Sequence, residues 1–169
     1  MQERDYQMML NIGCGKVRLD GYINVDIHNG NSVDIRADIR NLPFLENTFD
    51  GALASHVLEH ILELRTAMHE IHRVLKPNSI LTIRVPYGLS GLFVPFHMRA
   101  FDLSTFKQFT DDDDRSLEYG ELFSIESQYI SDYHIPFYWH LRKYGLIPER
   151  NIYPIWKRKE ITCLLKILK

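Results

Sequence analysis

The first half of the chain is a succession of short apolar runs, each closed by a turn residue, and this punctuation constrains the fold more than any other feature. Met8–Ile12 runs into Gly13-Cys14-Gly15, Tyr22–Val25 ends in Asp26, and Val33–Ala37 ends at Asp38. Phe49–Ala54 leads to Ser55, and Ile80–Val85 stops at Pro86. Short apolar runs between turn signals suit strands buried on both faces, as in a parallel sheet. Between the fourth and fifth runs, Val57, Ile61, Leu64, Met68, Ile71 and Leu75 recur at steps of four and three, the pattern of one apolar helical face. Ser55 stands where an N-cap is expected, and Lys76-Pro77-Asn78 supplies the stop. Strand, long helix, strand is a crossover unit, so the sheet is expected to be parallel.

The earliest crossovers are short. Lys16 to Gly21 separate the first two runs and Ile27 to Ser32 the next two, whereas a parallel connection normally takes a dozen residues or more. Six extended residues reach roughly 20 Å, about one strand length. A bare loop can therefore return the chain, and the first crossover helix is expected to be missing or vestigial. Part of one sheet face then lacks its usual cover.

The second half changes character. Tyr87 to Ala100 is a loop rich in Gly, Phe and Pro; Leu103–Phe109 suits a short helix capped by Asp102; Asp111 to Asp114 forms an acidic turn. Ser124–Ile130 and Glu160–Leu168 suit strands. Tyr133 to Trp156 carries Tyr, Phe or Trp at seven positions, which fits a cover for the bare face or a homodimer contact through 133–156. With no repeat or linker, one domain over 1–169 is expected, divided into a half over about 7–86 and a half over about 87–169. The formal charge of −2 argues against a nucleic-acid partner. Two cysteines suggest no disulfide framework. No apolar run approaches the ~20 residues needed to span a bilayer, and Met1 to Tyr6 is too polar for a signal peptide; a cytoplasmic location is the expectation.

The glycine turn after the first run allows positive φ and close approach of a ligand, and its place after a strand fits nucleotide binding at the carboxyl edge of an open α/β sheet. The third glycine of the dinucleotide fingerprint is absent. Asp26 ends the second run eleven residues after Gly15, where a carboxylate can accept hydrogen bonds from both ribose hydroxyls. Asp38 ends the third and can accept from an adenine amino group while an apolar neighbour covers the ring.

These segments, with Asp38-Ile39-Arg40-Asn41-Leu42-Pro43-Phe44, Asn47-Thr48-Phe49-Asp50, Ala54-Ser55-His56-Val57-Leu58-Glu59-His60 and Glu70–Pro77, resemble the successive motifs of class I S-adenosylmethionine-dependent methyltransferases. The likeness covers roughly residues 8 to 86. It is nearest to a small bacterial and archaeal subgroup associated with saccharide and cell-envelope pathways, in which a short loop likewise replaces the first helix. It implies a Rossmann-like three-layer α/β sandwich, mostly parallel with an antiparallel final strand. It further implies S-adenosyl-L-methionine as cofactor, S-adenosyl-L-homocysteine as product, and a small-molecule or saccharide acceptor methylated at oxygen. In these terms Asn11, Gly13, Cys14 and Gly15 form the loop at the methionine part. Asp26 and Ile27 take the ribose, Asp38 and Ile39 the adenine, and Ser55 and His56 the methionine end, with His56 beside the reacting methyl. Cys14 is given no chemistry beyond fitting a buried turn.

In Pro95–Phe101, His97 is the first candidate for a general base, since a base must reach the acceptor hydroxyl within hydrogen-bond distance. Arg99 offers a forked donor for an anionic group, and His60 is a further acceptor contact. His56-Val57-Leu58-Glu59-His60 also matches an inverted zinc-peptidase motif. A zinc peptidase therefore stands as an alternative, as does a module that binds the cofactor without catalysis; the methyltransferase register of the segment favours no metal. His69 and His72 suit a solvated helix face.

Overall fold

A computed structural model describes residues 7–110, 120–134 and 157–169. Seven strands form one sheet: β1 (Met9–Ile12), β2 (Tyr22–Asp26), β3 (Ile35–Arg36), β4 (Phe49–Ser55), β5 (Leu75–Pro86), β6 (Phe123–His134) and β7 (Lys157–Ile167). Their order is β3-β2-β1-β4-β5-β7-β6. The first five are parallel where they pair, and β7 runs antiparallel to both β5 and β6. This is the mostly parallel sheet with an antiparallel last strand that the sequence implies. Chain order runs outward from β1 through β2 to β3, then restarts on its other side with β4. The reversal lies between β1 and β4, and in open α/β sheets such a switch point opens a crevice at the carboxyl ends of the strands.

No helix intervenes between β1, β2 and β3 in the described residues. Side chains hold these returns instead. The Asn11 amide donates to Val17 O at 3.2 Å and to Asn24 Oδ1 at 2.9 Å. Asn24 donates to Asp34 at 2.9 Å, and Arg18 closes the chain of contacts on Asp34 at 2.6 Å. Asn24 is fully buried, where an amide must find partners or lose stability. The network satisfies it and pins both loops.

The helix differs from the sequence expectation. α1 spans Leu64–Val74, with Leu64, Ala67, Met68, Ile71 and Val74 buried on one face. Ser55 is the last residue of β4 rather than an N-cap, and the position before α1 is Glu63 without a side-chain cap. Leu58–His60 forms a short 3-10 turn. Val57 and Ile61 fit the helical period but serve another surface, described below. α1 is followed directly by β5, which starts at Leu75 and carries Asn78 at φ 62°, so Lys76-Pro77-Asn78 bends the strand rather than preceding it. Glu70 and Arg73 on α1 fasten the stretch after β3: Glu70 accepts from Leu42 N at 2.7 Å, and Arg73 donates to the carbonyls of Phe44 and Leu42 at 2.9 and 3.1 Å.

Two smaller expectations shift. Lys107–Phe109 is a 3-10 turn rather than a helix over 103–109, although Asp102 does accept from Ser104 N at 2.9 Å. His72 is no solvated residue: its ring meets Phe123 edge-on at 5.6 Å and contacts Leu168 O at 2.6 Å. Of the helical layers, the described residues contain α1. The acidic turn at 111–114 and the aromatic stretch over 135–156 lie outside the described residues. No described helix is long and apolar enough to cross a membrane.

Candidate functional site

The crevice at the switch point is a shallow, mostly apolar cleft open to solvent. Its lining comes from four consecutive strand ends: Ile12 and Gly13, then Val25 to Ile27, then Ala37 to Ile39, then Val57 and Ile61. Gly13 has φ +66°, and a Cβ built there would lie 2.6 Å from Val57 Cβ. Space and backbone conformation both demand glycine. Gly15 has φ +54° with open space around it, so only its backbone conformation argues for glycine.

Asp26 is the one carboxylate of the lining whose oxygens are positioned by backbone alone. Gly15 N–H donates to Oδ2 at 2.8 Å and His28 N–H donates to Oδ1 at 2.8 Å. A carboxylate offers about four lone-pair sites, so two bonds orient it and capacity remains for hydroxyl donors. The same two bonds tie the loops after β1 and β2 together.

Asp38 lines the cleft but is committed differently. Arg40 grips its carboxylate through Nε at 3.0 Å and Nη2 at 2.6 Å, and through its backbone N–H at 2.9 Å. These hydrogen bonds from Arg40, with its charge, hold the Asp38 carboxyl below the usual range against the opposing effect of burial. Arg40 also reaches Glu63 at 2.6 Å. Asp38 thus reaches the cleft with its carboxylate engaged by Arg40, and Ile27 and Ile39 stand as apolar walls beside it.

Three further sequence-singled residues are placed away from the lining. Asn11 spends its amide on Val17 and Asn24, so it shapes the glycine loop rather than facing the cleft. Cys14 is buried, with its thiol 3.6 Å from Ser32 O, and burial followed by the charge of Asp26 raises its pKa. Ser55 ends β4 without lining the cleft.

His56 follows β4 at φ +53°. Its Nδ1 lies 3.3 Å from Glu59 Oε1 and its Nε2 lies 3.1 Å from Glu160 Oε2. Burial works against the charged ring, but the hydrogen bonds and charges of Glu59 and Glu160 outweigh it and raise the pKa. A ring with a carboxylate at each nitrogen is favoured in its charged, donating form. The two carboxylates fix the ring's position beside the end of β4. The zinc-peptidase geometry fails, because residues 56 to 60 are not one α-helical turn and both His56 nitrogens face carboxylates.

At the other end, the loop after β5 folds back onto the 3-10 turn. Met98 N–H donates to Glu59 O at 2.7 Å, and His60 Nδ1 lies 3.1 Å from Phe96 O. The rings of His60 and His97 meet edge-on at 4.7 Å. Arg99 donates to Leu62 O, its Nε is buried without a hydrogen-bond partner, and burial lowers its pKa. It borders a second, open hollow with Arg65 and Gln108. The two hollows abut in sequence at Ile61 and Leu62.

Residues 10–83 match a family model described as a methyltransferase domain. Over that stretch the chain is similar to class I S-adenosylmethionine-dependent methyltransferases. A ubiquinone/menaquinone biosynthesis C-methyltransferase of Blochmanniella pennsylvanica is 39% identical over 98 residues, which is 58% of this chain and 35% of that protein. The mitochondrial arginine-hydroxylase NDUFAF5 of Rattus norvegicus is 32% identical over 96 residues, 46% of this chain and 28% of that protein. The chain thus spans a minor part of the curated relatives it matches. Among solved structures, a Burkholderia thailandensis 1,6-didemethyltoxoflavin-N1-methyltransferase with bound 1,6-didemethyltoxoflavin and S-adenosylhomocysteine superposes with a TM-score of 0.63. At 15% identity, covering 96% of this chain and 72% of that one, this is a likeness of fold.

The residues of the cleft fit S-adenosylmethionine, the cofactor of the proteins the chain resembles, on observations of their own. Asp26 presents a carboxylate oriented by two amides, and Gly13 leaves a cradle that any Cβ would fill. Sequence reasoning missed Val57 and Ile61 as cleft walls because their spacing mimics a helix. It also missed Glu160, which is 104 residues from His56 and carries no local signal.

Proposed function

We propose that this protein transfers the methyl group of S-adenosylmethionine to a hydroxyl oxygen of a small molecule, with a saccharide as the favoured class. The observation that carries the reading is the Asp26 carboxylate, fixed by Gly15 and His28 at the switch-point cleft. In this reading Asp26 takes the ribose hydroxyls, while Ile27, Ile39, Val57 and Ile61 cover the adenine. Gly13 lets the chain close on the methionine part. When bound, the cofactor supplies a sulfonium-activated methyl carbon that the acceptor oxygen displaces in line, leaving S-adenosylhomocysteine. The chain orients the reactants and excludes water, and alignment alone can remove roughly 7–11 kcal/mol of barrier. His56, held by Glu59 and Glu160, anchors the β4 end of the cleft.

The acceptor lies toward His60, His97 and Arg99. His60 Nδ1, engaged with the Phe96 carbonyl, acts as donor, which leaves the Nε2 lone pair available. In the metal-free chain the His97 imidazole takes the hydroxyl proton as the carbon–oxygen bond forms, and His60 contacts the acceptor beside it. Arg99, with an unused Nε, holds an anionic group of the acceptor. The experiment is calorimetry with S-adenosylmethionine and S-adenosylhomocysteine, followed by assay of S-adenosylhomocysteine release with a panel of free and phosphorylated sugars. Micromolar cofactor binding with sugar-dependent turnover is expected. Absence of cofactor binding overturns the reading, and binding with no turnover on any hydroxyl acceptor reduces the protein to a cofactor-binding module.

A further inference from the structure

Beside the cofactor cleft, Glu59, His60 and His97 each offer one ligand atom, and these three atoms lie within 4.8 Å of one another. Two features distinguish this group from a chance cluster. Glu59 is 1% exposed, and its Oε2 is buried without a hydrogen-bond partner, a state that is costly for a carboxylate oxygen unless something satisfies it. His60 presents the arrangement that metal-ligating histidines use: one ring nitrogen directed at a backbone carbonyl, here Phe96 O at 3.1 Å, which fixes the tautomer and leaves the other nitrogen's lone pair for an ion.

The backbone supports the same placement. Phe96 adopts φ +73°, a rare conformation for an aromatic residue, and this residue supplies the carbonyl that His60 engages. Two residues on, Met98 N–H binds the Glu59 carbonyl at 2.7 Å. The loop after β5 is thereby clamped to the 3-10 turn on both sides of His97. Strain of this kind persists where the surrounding structure over-determines it, commonly at functional sites.

We propose that Glu59, His60 and His97 form a binding site for a first-row divalent metal ion, zinc foremost. Two imidazoles and one carboxylate suit such ions better than magnesium or calcium, which favour all-oxygen shells. Three protein ligands leave at least one coordination position for water or an acceptor oxygen. The site differs from the His56–His60 pair of the sequence motif, since His56 gives both nitrogens to carboxylates. In its use of the ion the inference rests on the reading above. A lone pair given to a metal is not available to a proton, so in the loaded protein the ion, not the imidazoles, favours loss of the proton from an oxygen it holds.

The test measures binding of zinc chloride, and of cobalt chloride by visible absorption, to the full-length chelator-treated chain. The variants are His97→Ala, His60→Ala and the control His69→Ala, whose histidine is exposed on α1. The expected result is one ion per chain at micromolar affinity or tighter, weakened at least tenfold by each of the first two substitutions and unchanged by the third. Affinity for S-adenosylhomocysteine, measured on the same samples, reports folding and tests the cofactor reading separately. The proposal is overturned if the wild-type chain binds no ion, or if the first two substitutions leave ion affinity unchanged while the cofactor still binds.

Discussion

Replacing Asp26 tests the cofactor reading most directly, because in that reading its carboxylate has two separable tasks. In the ligand-free chain it accepts from Gly15 N–H and His28 N–H, each at 2.8 Å. Both bonds are exposed, so in Asp26→Ala the freed amides turn to water. At about 0.5–1.5 kcal/mol for each such bond, the loss of stability is roughly 1–3 kcal/mol. For a chain of this size that lowers Tm by about 2–4 °C per kcal/mol. The cofactor loses more. Hydrogen bonds to a charged acceptor contribute about 1.5–3 kcal/mol each, so two ribose hydroxyls account for about 3–6 kcal/mol. At 1.4 kcal/mol per decade this is a weakening of roughly 10²- to 10⁴-fold. Asp26→Asn keeps one oxygen and loses the other, and should fall between wild type and Asp26→Ala. The assay is calorimetry with S-adenosylhomocysteine, paired with thermal melting of the ligand-free variants. A folded Asp26→Ala that binds within about threefold of wild type, a difference under 1 kcal/mol, refutes the ribose assignment.

The other predictions concern backbone space and titration. Gly13→Ala places a Cβ against Val57 at a left-handed φ, and the conformational penalty of about 1–2 kcal/mol adds to an overpacking penalty of about 1–3 kcal/mol. Denaturant unfolding should show the loss, and an unchanged midpoint would contradict the local geometry. His56 has a raised pKa in the fold, so its contribution is full below the unfolded value of 6.5 and is lost as pH rises through the folded value. Tm measured across pH 6 to 9 should fall more in wild type than in His56→Gln; parallel curves would remove the imidazolium from the argument. Asp34 is lowered to about 2 by hydrogen bonds from Asn24 and Arg18. Its stabilisation is present above the unfolded value of 3.8 and is lost as pH falls toward 2. Asp34→Asn should flatten that acid limb of the melting profile, and an unaltered limb would show that the Asn24 network does not depend on the charge.

The parts of this protein that are legible in its sequence are those set by local chemistry. The strand ends at Ile12, Asp26 and Ser55 fall where turn residues interrupt apolar runs, and Gly13 and Gly15 both take the positive φ that their loop demanded. The short returns between β1, β2 and β3 follow from chain length alone. What escaped depends on contacts far along the chain. The apolar period of Val57 and Ile61 continued that of α1, yet both residues wall a cleft built from other strands. The demand of Arg40 on Asp38 is invisible until the loop folds, and Glu160 reaches His56 only through the pairing of β7 with β5. Of the motif's two histidines, His56 has a carboxylate at each nitrogen while His60 has a carbonyl at one only, a difference set by Glu59, Glu160 and Phe96 rather than by local sequence.

The antiparallel β7 has a consequence for how the molecule assembles. β6 touches the sheet only through β7, which is inserted between it and β5. During synthesis β6 therefore emerges before β7, the strand it pairs with, whose Glu160 also completes the clamp on His56. Pairings of such sequence separation form slowly, so the nucleotide-facing half can organise first while its histidine anchor is set last. A nascent chain stalled before β7 should hold the β1–β4 crevice in outline but expose β5 as an open edge, a target for chaperones or proteases.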